Sequence, residues 1–372
     1  MNKAFFINGG SGRVLCSIPA LEEYAKTHDN FIIVAEAWEE LYYLSKTLRD
    51  KVYPIHHKNL FESLLIDKEI ISPEPYRLNA YFNQKCNLIQ AFDILINELD
   101  DVPETKKVNI ELNKAEQIFG HNLVNEVREV TKRDKIVVLQ PFGSSAKTEG
   151  IFTYDVTGRS FELSDIYKVI EKLKPHYGII LMTQIPLPNW DQLGIACPQN
   201  VSLTQWAGII NASDYFLGCD SMGQHIANSL NKPSTVVIGA TYPENISYPN
   251  NKDFYIIDNG KEKRKYSPIR ITFEDKYDRN NEDLMILSEE KIEEIKKSIV
   301  NKIGVSKVNN ETLNLSGTKK KKLNEFPVSP ELSPSGFCKE RFCQPEKYNG
   351  QKYKDRSKKT IDKILELNDI KD

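Results

Sequence analysis

The sequence predicts an α/β protein: two Rossmann-like domains with parallel sheets facing a cleft, followed by a basic C-terminal tail. Three observations predict it. The 372 residues suffice for two domains and an appendage. Short apolar runs alternate with helical patterns almost to residue 300, the mark of parallel sheets covered by helices on both faces. The alternation restarts near residue 135, so there are two arrays. The expected boundaries are an N-terminal domain over 1–130, a C-terminal domain over 131–305 and a tail over 306–372.

Ala4-Phe5-Phe6-Ile7 reads as the first strand, ending in Asn8-Gly9-Gly10-Ser11-Gly12. Pro19 predicts a helix start, with Ala20, Leu21, Tyr24 and Ala25 on one face. Phe31–Ala35 is a second strand, and Val52–Ile55 and Ile94–Ile96 read as further ones, with Glu98, Asp100 and Asp101 a charged strand exit. The second array opens with Ile136–Leu139, which ends in Gln140-Pro141-Phe142-Gly143-Ser144-Ser145. A helix carrying Ile166, Val169, Ile170 and Leu173 follows, then strands at Ile179–Met182, Tyr215–Gly218, Thr235–Ile238 and Phe254–Ile257. Ser288 caps a helix whose apolar face is Ile292, Ile295, Ile299 and Ile303. Ligands of such sheets bind beyond the carboxyl ends of the strands.

Composition narrows the class. Hydrophobic residues at 40% and charged residues at 27% exclude wholesale disorder. The net charge of −2 hides an asymmetry: residues 306–372 hold fifteen Lys and Arg against ten Asp and Glu, so the body is acidic. A generally basic, nucleic-acid-coating chain is excluded. Mean hydropathy is −0.47 and no apolar run approaches the roughly 18 residues of a membrane span. The apolar run at the N-terminus is too brief for a signal peptide. Six scattered cysteines do not form a secreted disulfide framework. The expected location is cytoplasmic. Lys319–Lys322 and four prolines between Pro327 and Pro345 mark the tail as loosely packed, with a last helix over Lys358–Asn368. His56-His57 lacks a third ligand at metal spacing, and Cys338 with Cys343 cannot close a zinc site, so no metal site is expected.

The most informative stretch runs from Gly218 to Pro233. It follows a strand and opens a helix, placing Asp220 and Ser221 where unpaired N–H groups favour an anion. The plain structural reading is a helix N-cap with His225 packed in the first turn. A serine hydrolase is disfavoured, because Ser221 and His225 lie one turn apart and no Gly-x-Ser-x-Gly elbow is present.

Asp220, Ser221, His225, Ala227 and Pro233, with Gly239, Thr241 and Pro243 after the next strand, resemble the C-terminal signature of family 9 glycosyltransferases. These are the bacterial heptosyltransferases and their relatives, whose two Rossmann-like domains form the GT-B arrangement. Met222 stands where the family has glycine, with Gly223 beside it. Gly12-Arg13-Val14-Leu15 and Ile18–Leu21 resemble the family's N-terminal motif, and Arg159-Ser160-Phe161 resembles the motif whose lysine contacts donor phosphate. Val137–Gly143 and Val201–Ala212 fall in the family's order.

The resemblance implies transfer of a glycosyl unit from a nucleotide-diphospho-sugar to a hydroxyl acceptor, without metal and with inversion. No cofactor is implied; the nucleotide sugar is a substrate. The implied acceptor is a lipid-linked saccharide of lipopolysaccharide at the inner membrane face, where the basic tail could meet an anionic surface. Arg159, Lys147, Asp220, Ser221, Gly223 and His225 are the donor-side candidates, Gly9, Gly10 and Gly12 the acceptor-side loop, and Arg13 and Glu36 the catalytic candidates. Three departures stand out. Arg13 replaces the family's catalytic aspartate and cannot accept a proton; Glu36 is the first substitute. About a dozen residues from Ala146 to Gly158 precede Arg159. The stretch after Met182 lacks the family's Gly-rich turn and its ribose-holding glutamate. Two alternatives keep the fold: transfer to modified DNA bases or protein, and an inactive sugar-nucleotide-binding protein.

Overall fold

Two parallel sheets organise the computed structural model, which describes residues 2–149, 152–185, 187–266 and 283–307. The first array comprises β1 (Asn2–Ile7), α1 (Ser11–Ala25), β2 (Phe31–Ala35), β3 (Val52–Pro54), β4 (Lys68–Ile71), α2 (Asn79–Phe82), α3 (Leu88–Asn97) and α4 (Lys114–Thr131). The second comprises β5 (Ile136–Gln140), β6 (Lys147–Glu149), β7 (Phe152–Tyr154), α5 (Leu163–Leu173), β8 (Gly178–Leu181), α6 (Leu203–Ala212), β9 (Tyr215–Cys219), α7 (Met222–Ser229), β10 (Ser234–Ile238), α8 (Pro243–Ile246), β11 (Phe254–Asp258) and α9 (Glu289–Ile303).

The strand orders are β3-β2-β1-β4 and β11-β10-β9-β5-β8. Each contains a reversal of winding: between β1 and β4 in the first sheet, and between β5 and β9 in the second. A crevice opens beyond the carboxyl ends of the strands at such a switch point, so the order of strands already says where ligands belong.

The faces of the second sheet separate cleanly. Val137, Leu139, Ile179, Leu181 and Val237 pack with α5 and α9. The alternate residues Ile136, Val138, Ile180, Val236 and Ile238 join a core that continues through α4, α6, α7, α1 and α3 to Phe5, Ile7 and Ile33 of the first sheet. One apolar core therefore links the two arrays. Its tightest point is the crossing of α4 and α6, where the Cβ of an alanine at Gly120 would run into the Gly208 carbonyl, and one at Gly208 into the Glu116 carbonyl.

Four expectations change. Ile94–Ile96 is the end of α3, not a strand: Leu88, Ile89, Phe92 and Ile96 lie buried at helical spacing, and Asn87 with Gln90 forms a capping box. Glu98 accordingly sits at a helix C-cap, where it pairs with Lys3, and not at a strand exit. Pro19 lies inside α1, which starts at Ser11; the helix keeps its course because Arg13–Leu21 are buried and packing offsets the missing hydrogen bond. The second face of the first sheet is covered by the short segment carrying Leu60 and Leu65 and not by a long helix. The sequence reading also missed β4 and the β6–β7 hairpin; the hairpin accounts for the extra residues before Arg159. Residues 308–372, with the lysine run, Cys338, Cys343 and the expected last helix, lie outside the described residues. Among the described residues no helix is long and apolar enough to cross a membrane.

Candidate active site at the two switch points

At the second switch point, β5 ends in Gln140 and β9 ends in Cys219, followed by Asp220 and Ser221. The Gln140 amide spans the seam: its Nε2 donates to Ser221 Oγ at 2.9 Å and its Oε1 accepts from the Gly223 N–H at 2.9 Å. A side chain at position 223 would collide with that amide and with the Phe216 ring. This explains why a glycine occupies 223 although Met222 fills the position before it. Asp220 is buried and accepts from Gln224 Nε2 at 3.1 Å and Thr241 Oγ1 at 2.8 Å. Burial lifts its carboxyl above the usual range, opposed chiefly by Arg159.

Arg159 reaches this cluster from the loop after β7. Its Nη2 donates to Ser145 Oγ at 3.1 Å and its Nε to Thr157 Oγ1 at 3.0 Å. Burial works against its charge, and the carboxylates of Asp220 and Asp155 outweigh that, holding its pKa above the ordinary value. Asp155 accepts from the Thr157 N–H and from the Ser160 hydroxyl, which tightens the turn that presents the guanidinium.

At the first switch point, Gly9 adopts φ +91° after β1, a conformation that favours glycine. Arg13, in the first turn of α1, is buried and extends to the loop beyond β4. Its Nη1 donates to Glu74 Oε1 at 2.8 Å, and its Nη2 to the Pro73 carbonyl at 2.9 Å and Glu74 Oε2 at 3.3 Å. The guanidinium lies over the rings of Tyr76 and Phe92. Burial raises the Tyr76 phenol pKa, and Arg13 and Arg159 both pull it back, so Tyr76 stands within electrostatic reach of both clusters.

The two switch points face each other. A Cβ on Gly10 would lie 3.4 Å from Ser144 Oγ, and one on Gly12 would lie 3.2 Å from His225 Cδ2. His225 is buried, with Nδ1 2.7 Å from the Tyr248 hydroxyl and 3.6 Å from Cys16 Sγ. Burial depresses its pKa to about 4, and the same burial raises the Cys16 thiol well above its usual range. Neutral imidazole and protonated thiol make this a packing contact between α1 and α7, not a nucleophilic pair.

No family model matches the chain, and no curated protein matches it. Solved structures do. The Escherichia coli ADP-heptose lps heptosyltransferase II matches with a TM-score of 0.54 at 12% identity, over 80% of this chain and 99% of its own. A glycosyl transferase family 9 structure from Veillonella parvula DSM 2008 matches with a TM-score of 0.54 at 12% identity, over 80% and 97%. The iron-containing dodecameric glycosyltransferase TibC from enterotoxigenic E. coli H10407 matches with a TM-score of 0.50 at 11% identity, over 81% and 75%. The chain has the GT-B fold.

Within this GT-B frame the sequence candidates divide. Asp220 and Ser221 stand at the second switch point, Arg159 is within electrostatic reach of Asp220, and Gly10 and Gly12 approach Ser144 and His225. The Gly223 N–H is already bonded to Gln140. Lys147 lies exposed on β6. Glu36 is exposed just beyond β2, on the same sheet edge as the Gly9 loop, since Ile7 and Ala35 are in register. Arg13 is committed to Glu74. Sequence reasoning missed Gln140, Asp155, Glu74 and Tyr76 as site residues. Glu74 lies between Pro73 and Pro75, a local stiffness that could have drawn notice. Among the described residues no group of three or more His, Cys, Asp or Glu is disposed to hold a metal ion.

Proposed function

We propose that the protein is a glycosyltransferase that moves a glycosyl unit from a nucleotide-diphospho-sugar to a hydroxyl acceptor. One observation carries the reading. The Arg159 guanidinium, bonded to Ser145 in the loop after β5, lies within electrostatic reach of the buried Asp220 that precedes α7 at the switch point of the second sheet. A diphosphate leaving group gains charge as its bond to the sugar breaks, and a preformed cation with a helix N-terminus stabilises that charge. The E. coli and Veillonella structures of like fold, one named an ADP-heptose heptosyltransferase and the other a family 9 glycosyltransferase, support it.

In this reading residues 131–305 hold the donor, through Arg159, Asp220 and Ser221. Residues 1–130 present the acceptor along Gly9, Gly10 and Gly12. Transfer without metal belongs to the reading, since Arg159 and α7 bring positive charge of the kind a metal would supply, and inversion belongs to it through the family resemblance alone. A lipid-linked saccharide is the acceptor class, and the basic excess in residues 306–372 would draw the protein to an anionic surface. A second reading, a nucleotide-sugar-binding protein without turnover, is favoured by the arginine at position 13.

A thermal-shift panel of ADP-, GDP-, UDP- and dTDP-linked sugars tests the donor site. A donor at 100 times its Kd should stabilise the fold by about 2.7 kcal/mol. No shift with any member would remove both readings. Release of nucleoside diphosphate by the wild type, lost in Arg159→Ala, would remove the second.

A further inference from the structure

We infer that Glu74 is the catalytic base of the transfer and that Arg13 is the positioning residue that holds it, an inference that rests on the glycosyltransferase reading above. The strand order supplies the location. The winding of the first sheet reverses between β1 and β4, so the crevice beyond their carboxyl ends is bordered by Gly9–Arg13 on one side and Pro73–Pro75 on the other. Glu74 is the carboxylate that the β4 side places there, and its side chain is 29% exposed while that of Arg13 is 6% exposed.

The hydrogen bonds leave this carboxylate one open position for a proton. An ionised carboxylate offers about four acceptor sites. Oε1 accepts from Arg13 Nη1 at 2.8 Å and from the Tyr76 N–H at 3.3 Å, whereas Oε2 accepts from Arg13 Nη2 at 3.3 Å. Oε2 is the less engaged oxygen. Arg13 cannot take a proton itself, but its fork, anchored also on the Pro73 carbonyl, fixes the carboxylate plane. Ser144, in the loop that carries the Arg159 partner Ser145, lies against Gly10. The base thus stands on the acceptor side of the cleft and the anion-stabilising cation on the other.

The step balances. Glu74 Oε2 takes the hydroxyl proton of the acceptor as that oxygen bonds to the anomeric carbon. The bond from that carbon to the diphosphate oxygen breaks, and its electron pair leaves with the diphosphate toward Arg159. The neutral Glu74 then returns its proton to water. Water in place of the acceptor makes the same step a hydrolysis, so a known acceptor is not needed to see it.

The test uses the full chain, ADP-, GDP- and UDP-linked sugars as donors, calorimetric donor binding and release of nucleoside diphosphate with water as acceptor. Glu74→Gln keeps an oxygen for Arg13 to bond, so it should fold and bind donor within about twofold of wild type. Its release rate should fall about 100-fold or more, the usual share of a general base. Arg13→Lys should lower kcat several-fold with little change in the donor KM. A Glu74→Gln protein with wild-type turnover, or one that loses donor binding and turnover together, overturns the assignment, as does a wild type that binds donor without releasing more than the variant. A wild type that binds none of the donors removes the glycosyltransferase reading itself, and this inference with it.

Discussion

Gln140 and Ser221 close the seam between β5 and β9. The amide nitrogen of Gln140 holds the Ser221 hydroxyl at 2.9 Å while its oxygen takes the Gly223 N–H at 2.9 Å. One side chain thereby caps α7 and orients the hydroxyl that stands at its N-terminus.

Gln140→Leu should cost about 1–3 kcal/mol in urea unfolding, because the buried Gly223 N–H loses its partner. Gln140→Glu keeps an acceptor for Gly223 but loses the donor to Ser221 and adds negative charge where the donor diphosphate would lie. Its stability should be closer to wild type and its donor affinity further from it. Equal losses of stability and affinity in the two variants would contradict this division of roles.

Gly120→Ala and Gly208→Ala should each destabilise by about 3 kcal/mol or more in chemical denaturation. In an ordinary helix the change would stabilise by up to about 1 kcal/mol. Here each Cβ meets the carbonyl backbone of the facing helix, which yields less readily than a side chain. An unchanged midpoint would show that α4 and α6 can part at little cost.

Arg159→Ala should weaken donor binding about 10- to 100-fold, from the loss of charge-assisted hydrogen bonds to the diphosphate. Arg159→Lys should recover only part, since ammonium lacks the planar fork. The Ala variant should also lower the melting temperature, because Asp220 keeps its burial and loses the neighbouring cation. Adding Asp220→Asn should return part of that loss, and calorimetry of the double variant checks it.

His225 contributes a pH dependence. Its folded pKa of about 4 lies below the ordinary 6.5, so the unfolded chain binds more protons between those values. Stability from this group is full above about pH 6.5 and falls as pH drops toward 4, by up to about 3 kcal/mol. His225→Gln, which does not titrate, should flatten that part of the stability profile. An unflattened profile would assign the acid sensitivity to other groups.

The periodic parts of the chain were legible. Buried parallel strands read as continuous apolar runs, and β1, β2, β5, β8, β9, β10 and β11 all have that form. Ser288 and the isoleucines of α9 announce a helix by cap and spacing. Ile94-Leu95-Ile96 misleads because three branched apolar residues look the same in a strand and at the end of a buried helix; the Asn87–Gln90 capping box was the deciding local signal. β4, with Glu69 and Ile70 exposed on an edge, offers no apolar run to find. The donor-side candidates Asp220, Ser221 and Arg159 stand in recognisable local motifs, which is why sequence alone could propose them.

By itself the sequence determined two arrays of strands and helices, the acidic body with its basic tail, and the turn that carries Asp220 and Ser221. These follow from periodicity, composition and local capping, which act within a few residues. Only the tertiary structure decided the order of strands, and with it the two switch points, the continuous core between the sheets and the pairing of Arg13 with Glu74 across 61 positions of chain. A buried guanidinium must find a carboxylate or lose its charge stabilisation, yet which carboxylate it finds depends on which strand ends beside it. That is set by packing over the whole unit and leaves no mark on the residues next to Arg13.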